Sequence, residues 1–493
     1  MDRLRPFERT TAIWPVVYLA LVGGGLFLFF REWHYDDPFI TYRYAANLGE
    51  GLGFVYNPGE RVLSTTSPLL ALLLAGLHLL GADIPTSANL LGALSLAAGG
   101  LLLREISRRL DLPAAGWVCA LLYPTSALLV STLGSETPVY LALCLGAVLF
   151  YLRGRFSGAA VLLGLAVLTR ADALVLGGLL GADWLIRSFL EYRSISGTLR
   201  AVPLPAVFAS GVILLPWAVF GWIYFGSTLP ATLAAKQAQG LLNPADLFLP
   251  GLWDLAVRLG EYPHYWILLL LALAGLAIAF RSRPRWLPLL LWPVFFAAGY
   301  ALLGVPRSPW YFASLVPGAM AAAGLALGTL IESPERLRPR IGVIGRLRAG
   351  GVILLALLSW AQLTDLDRLH AAFDDRYAIY REVGLWLAAN TPPVASIGTL
   401  EVGIIGYFAR PRPMIDFAGL LQPEIASQFR PGYRFPQAAA WAAERYQPEV
   451  LVLTSGGYRA LHETYISGRC EPAAEFTGAD FGYDRDIVVY VCG

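Results

Sequence analysis

Trp33-His34-Tyr35-Asp36-Asp37-Pro38-Phe39 comes two residues after an apolar run at 11–30, TAIWPVVYLALVGGGLFLFF. The two together decide the fold class. Some twenty apolar residues are enough to cross a bilayer as a helix. Two adjacent carboxylates at its end raise each other's pKa, and burial adds to the effect. A chain made mostly of hydrocarbon does not need that pair in order to fold. It reads first as a chemical site with a membrane as its setting.

The rest of the composition agrees. Hydrophobic residues make up 56% of 493 positions and charged residues 15%, where a soluble chain carries about 25% charged. Spans are expected near 11–30, 86–103, 114–132, 138–152, 156–170, 172–190, 202–224, 264–280, 286–303, 309–331 and 349–363. Arg3, Arg5 and Arg9 precede the first span, which places the N-terminus inside. No A-x-A cleavage site follows it, so it reads as an uncleaved span and not as a signal peptide. With eleven spans, Arg104–Arg109, Arg153–Arg155, Arg187–Arg200, Arg281–Arg285 and Arg336–Arg348 all become cytoplasmic. That count requires the short apolar segment Ser67–Gly81 to lie along the outer surface, or to dip in and return. Residues 1–364 then form a transmembrane domain, with residues 31–85 as its outer loop carrying juxtamembrane helices.

Beyond Thr364 acidic residues appear and the apolar blocks shorten. Residues 448–454 and 486–491 read as buried strands and 437–445 as a helix. Residues 365–493 are therefore expected to be a compact α/β domain outside the membrane. Cys470 and Cys492 both lie in it, and a disulfide or two free thiols are equally open. Cys119 and Cys144 lie in spans and read as packing residues.

This topology sorts the candidate chemistry onto one face, and ionisable groups at membrane depth are functional suspects. Asp36 is the first choice for a general base. Asp37, followed by Pro38, serves equally well as the cap of an amphipathic helix starting at Phe39. Glu136, in the turn Gly134-Ser135-Glu136-Thr137-Pro138, either caps a helix or contributes to an acceptor pocket or a metal site. Arg170 and Asp172 form a tight turn with an internal ion pair. Lys236 and Arg307 either snorkel to headgroups or bind a phosphate, with Arg170 and Arg43 the next cations in line. Tyr35, Tyr56, Trp310 and Tyr311 suit stacking on a sugar and also fit an interfacial aromatic belt. GxxxxGK[ST], GxSxG, zinc-type Cys/His spacing and Asn-x-Ser/Thr are all absent, and nothing supports nucleic-acid binding.

Asp36-Asp37-Pro38-Phe39-Ile40-Thr41-Tyr42-Arg43-Tyr44-Ala45-Ala46-Asn47, continued by Glu50–Val62, resembles the first outer loop of bacterial GT-C glycosyltransferases. The likeness is to arabinofuranosyltransferase- and mannosyltransferase-like members that use a polyprenyl-phosphate sugar. Gly134-Ser135-Glu136-Thr137 resembles their Gly-Met-Glu-Thr, with Ser for Met. Ile404–Phe408 and Met414–Leu420 resemble the start of their exported domain. The resemblance implies an α-helical polytopic membrane protein with a C-terminal α/β domain. It further implies an inverting transferase at the outer face of the plasma or inner membrane, moving arabinofuranose or mannose to a glycan, lipid or protein acceptor. The Asp36-Asp37 pair would hold the base. No cofactor is required by it, and a divalent metal (Mg or Mn) stays open, with Asp36 and Glu136 as its ligands. The competing classes are a flippase or transporter of lipid-linked glycans and a non-catalytic envelope-assembly protein. A transporter would be expected to show an internal repeat and midplane charges, whereas here the charges gather on one face.

Overall fold

The computed structural model describes residues 13–332, 341–372, 374, 376–432 and 434–493. Arg3, Arg5 and Arg9, and Arg336, Arg338 and Arg340 of the last basic loop, lie outside the described residues.

Apolar composition becomes helix throughout the first two thirds of the chain. Eight described helices are long and apolar enough to cross a membrane: Ile13–Phe30, Ile84–Arg109, Ala173–Tyr192, Leu204–Phe225, Pro263–Ser282, Pro284–Leu303, Pro309–Ile331 and Gly345–Asn390, the last beginning within the Ile341–Ala371 helix. Three other expected spans are shorter helices. Thr137–Leu152 and Phe156–Thr169 have 16 and 14 residues, about 24 and 21 Å at 1.5 Å per residue. The expected span at 114–132 is broken. Pro113–Leu122 stops before Pro124, whose ring denies the helix a donor, and a short helix resumes at Ala127–Val130. Pro68–Leu79 has 12 residues, roughly 18 Å against a hydrocarbon thickness of about 30 Å, so it is too short to cross.

Thr137–Leu152 is apolar on every face and almost entirely buried, as such a helix must be. Pro309–Ile331 is the other central helix. Small residues let it close on its neighbours: a Cβ on Gly275 would lie 1.9 Å from the Ala322 carbonyl, and one on Gly328 2.4 Å from the Ala115 nitrogen. Peripheral helices such as Leu204–Phe225 expose Leu204, Phe208, Trp222 and Ile223, the surface expected to face lipid.

The C-terminal sheet has five strands, β1 (Ile397–Thr399), β2 (Met414–Asp416), β3 (Val450–Thr454), β4 (Cys470–Phe476) and β5 (Ile487–Cys492), in the order β2-β1-β3-β5-β4. β1, β2 and β3 are parallel; β5 runs antiparallel to β3 and β4. The expected strands appear as β3 and β5, and the expected helix as Phe435–Tyr446. Cys470 and Cys492 face each other in the β4–β5 ladder and are joined as a disulfide, which closes the open alternative.

The segment expected to be the first outer loop does not sit on the surface. Its helix, Pro38–Gly49, was expected to be amphipathic, yet residues 38–47 are buried without exception. Phe39, Tyr42, Tyr44, Phe54 and Tyr56 share one hydrophobic cluster with Ile379, Ile404, Met414 and Val450 of the C-terminal domain. The membrane helices have a cluster of their own. The loop is thus a layer clamped between the two.

Candidate active site

The clamp is polar as well as apolar. Asp36 accepts hydrogen bonds from the Gly403 and Ile404 amides at 3.0 and 2.7 Å, the free donors at the start of the Ile404–Phe408 helix. A Cβ at position 403 would come within 2.0 Å of the Asp36 carbonyl oxygen, so only glycine fits there. Burial pushes the Asp36 carboxyl up, with Glu401 adding to the rise and the Ile404 amide opposing it. Arg43 is fully buried and donates to the carbonyls of Tyr56, Gly406 and Arg412 at 2.9, 2.7 and 2.6 Å. The Tyr56 hydroxyl donates to the Val402 carbonyl. Asn57 exchanges two hydrogen bonds with the Met414 backbone, each 2.9 Å.

These contacts correct three expectations. Arg43 has no exposed surface and spends its donors on backbone carbonyls, so it is not a phosphate ligand. Tyr56 is 2% exposed and is not part of a sugar pocket. Asp36, the first choice for a base, holds the C-terminal domain in place and has its two oxygens engaged. The capping expected of Asp37 is absent: it occupies the N-cap position without a side-chain cap bond. Helix capping falls instead to Asp36, on another helix.

Asp37 is half-buried, and its side chain forms no hydrogen bond or ion pair among the described residues. Its charge reaches Lys236, on the short Ala231–Gly240 helix, and Glu401, just beyond β1. Burial pulls the Lys236 ammonium down, but Asp37 first, then Tyr311 and Asp416, more than offset it and hold it above its usual range. Asp416 itself, enclosed at the end of β2, accepts from the amides of Ala418, Leu420 and Leu421. Burial raises its carboxyl to about 7 against those amides and Lys236.

The other cations are already paired. Arg170 bridges Glu136 at 2.9 Å and Asp172 at 2.7 Å, with Tyr300 donating to Asp172 at 2.6 Å. The expected Arg170–Asp172 pair is present, extended by Glu136. Arg307 pairs with Asp254 and, at 3.3 Å, with Asp246, and is partly exposed. Of the four candidate cations, Lys236 and Arg43 form no ion pair with a described residue, and Arg43 spends its donors on backbone carbonyls. Tyr35 lies nearly parallel to Trp310 at 6.1 Å, Trp310 meets Tyr311 edge-on at 6.0 Å, and Arg170 sits 5.4 Å above the Tyr311 ring, so the three rings form one group.

Asp36 and Glu136 do not fit a shared divalent cation. The first is held by two amides and the second by Arg170, and no group of three His, Cys, Asp or Glu side chains suited to a metal occurs among the described residues. Glu401, Asp416 and Tyr300 were missed by sequence reasoning. For the two carboxylates the available signal was an acidic residue at or just past the end of a short apolar strand, as in Ile415-Asp416 and Leu400-Glu401.

Residues 369–490 match a domain family described as a domain of unknown function, DUF8728. Two sequence relatives are named terminal beta-(1->2)-arabinofuranosyltransferase. The one from Corynebacterium glutamicum is 28% identical over 268 residues, 45% of this chain and 36% of that protein; the one from Mycobacterium tuberculosis is 29% identical over 252 residues, 46% and 39%. The match thus spans little more than a third of the length of these curated relatives. In fold, the chain superposes on ArnT from Cupriavidus metallidurans, solved bound to undecaprenyl phosphate, with a TM-score of 0.62 at 16% identity over 97% of this chain and 98% of that one. It also superposes on the Archaeoglobus fulgidus oligosaccharyltransferase, TM-score 0.59 at 14% identity, over 90% and 70%. A multi-pass membrane chain that superposes on ArnT from end to end shares the fold of that protein.

Proposed function

We propose that this protein is an inverting membrane glycosyltransferase, moving arabinofuranose from a polyprenyl-phosphate donor to a hydroxyl of a glycan acceptor. The observation that carries the reading is the Lys236 ammonium with the Asp37 carboxylate as its strongest charge partner, neither held in a salt bridge or side-chain hydrogen bond among the described residues, where the membrane helices meet the C-terminal domain. A phosphate leaving group and a base for the attacking hydroxyl are the two needs of such a transfer.

Asp37 accepts the proton of the acceptor hydroxyl as its oxygen bonds to the anomeric carbon from the face opposite the phosphate. The carbon–oxygen bond to the phosphate breaks, and its electron pair leaves with the polyprenyl phosphate. Lys236 stabilises the charge that grows there. Tyr35, Trp310 and Tyr311 form an aromatic wall for the sugar. The relatives' names support arabinofuranose. The Cys470–Cys492 bond supports a site on the outer side of the plasma or inner membrane, where disulfides persist. No step here is assigned to a metal.

The test is transfer from polyprenyl-phosphoryl arabinofuranose by the purified protein in lipid vesicles. Asp37→Asn should lower the rate by roughly 10²–10⁴-fold, the usual worth of a general base, with stability unchanged. A wild-type rate in Asp37→Asn would remove Asp37 from the mechanism.

A further inference from the structure

The far end of the Ile84–Arg109 helix carries a cation that the candidate active site does not use. Ile84, at the near end, belongs to the hydrophobic cluster shared with the C-terminal domain. Arg104 is twenty residues further on, about 30 Å along the helix axis, which is the thickness of a bilayer's hydrocarbon. It therefore stands at the opposite membrane interface.

A pocket is built around it. The Arg104 guanidinium carbon lies 4.3 Å from the ring centres of both Trp14 and Trp117, and the two indoles are 5.2 Å from each other. Gly116 makes the room: a Cβ there would come within 2.8 Å of the Arg104 carbonyl oxygen and 3.1 Å of its Cγ. Tyr18 fastens the Ile13–Phe30 helix beside the pocket by donating to the Ala120 carbonyl. Rings laid on the flat of a guanidinium leave its edge, which carries all five N–H donors. None of the five has a partner among the described residues, and Nε is enclosed as well. The neighbouring carboxylate is already spent, since Glu105 pairs with Arg108 at 2.9 Å and with Arg153 at 3.1 Å. An arginine that only snorkels carries its head into water. This one is turned onto two indoles with an enclosed donor unserved.

The chemistry of the pocket defines its occupant. A guanidinium edge matches two oxygens of one anion, as a phosphodiester offers. Apolar surface continues from the indoles toward the membrane interior: Val17 and Leu21, one turn apart, and Trp117 and Leu121, one turn apart, all remain exposed. The ligand therefore has an anionic head and a hydrocarbon tail. Arg108 and Arg153 stand beside the head and repel any positive group on it, which favours lipids of net negative charge. We infer that Arg104, Trp14 and Trp117 form a binding site for an anionic phospholipid, with the phosphodiester on the guanidinium edge and an acyl chain over Trp117 and Leu121. The inference is independent of the transferase reading.

Native mass spectrometry of the full-length protein in detergent tests it, with phosphatidylglycerol and phosphatidylcholine of identical acyl chains as probes. The tightest-bound lipid should be phosphatidylglycerol, preferred about tenfold, the worth of one charge-assisted contact. Arg104→Gln should abolish that preference, and Arg104→Lys, which keeps the charge without the fork, should restore only part of it. Glycerophosphoglycerol, the same head without chains, should not compete at millimolar concentration. A second measurement needs no variant: phosphatidylglycerol with a photoreactive acyl chain should label residues 14–21 or 114–121 of the wild type. Equal affinity for the two lipids, an unchanged preference in Arg104→Gln, competition by the chainless head, or labelling confined to other segments would each overturn the inference.

Discussion

Replacing Arg43 with Met separates a clamp from a phosphate ligand. Met keeps the length and apolar bulk of the side chain and removes every donor. Of the three carbonyls that Arg43 serves, that of Tyr56 also receives Asn47 at 2.8 Å and stays satisfied. The Gly406 and Arg412 carbonyls lose the donor described here. A buried group left without its partner costs about 1–3 kcal/mol, so the two together cost roughly 2–6. Relief from burying a guanidinium offsets part of this. A net loss of about 3 kcal/mol in the attachment of the C-terminal domain remains, equivalent to a roughly hundredfold larger detached population. Native-state proteolysis of the protein in vesicles reads that population when closing outpaces cleavage. Cleavage between residues 372 and 403 should accelerate by about two orders of magnitude, with donor affinity in the intact fraction unchanged. A cleavage rate within threefold of wild type, together with weakened donor binding, would return Arg43 to the phosphate site and refute the clamp.

Lys236→Ala should weaken donor binding and slow turnover by at least tenfold, whereas Arg307→Ala, whose partners are Asp246 and Asp254, should change both less than threefold; isothermal titration with the lipid donor and initial rates decide. Asp416 has a carboxyl raised to about 7 in the folded chain against an ordinary 3.8. Its stabilising contribution is complete below pH 3.8 and lost as pH rises through 7, so the domain should grow more resistant to denaturant between pH 8 and pH 5, and Asp416→Asn should flatten that slope. Removing the disulfide with Cys470→Ser and Cys492→Ser, which close a loop of 22 residues, should lower domain stability by roughly 3 kcal/mol in a urea titration.

The membrane fold was legible because its signal is composition: blocks of apolar residues near twenty long have few other readings. The break in the expected span at 114–132 was legible too, in Pro124, once weighed against the apolar run around it. The C-terminal sheet was half visible. β3 and β5 carry five and six residues with β-branched runs, whereas β1 and β2 are three residues each and offer no periodicity to count. In the site, residue types were legible and their partners were not. Asp36 and Asp37 are chemically identical in sequence; only the position of Gly403, 367 residues away, distinguishes a tether from an unpaired carboxylate. Arg43 likewise sits in a stretch that reads as an exposed amphipathic helix until a second domain is laid over it.

That layered loop has a consequence for synthesis. Asp36, Arg43 and Asn57 emerge early, and the groups that satisfy them are encoded between residues 402 and 414. At about 5–20 residues per second, the 367 residues separating Asp36 from Gly403 take roughly 20–70 s to make. Throughout that interval the membrane helices can pack, while Phe39 in the loop lacks Tyr377, Tyr407 and Phe408, the late residues that cover it. The proposed reaction centre is therefore assembled last, by the arrival of residues 402–414, and a chain interrupted before them would be left with an adhesive surface and an incomplete site.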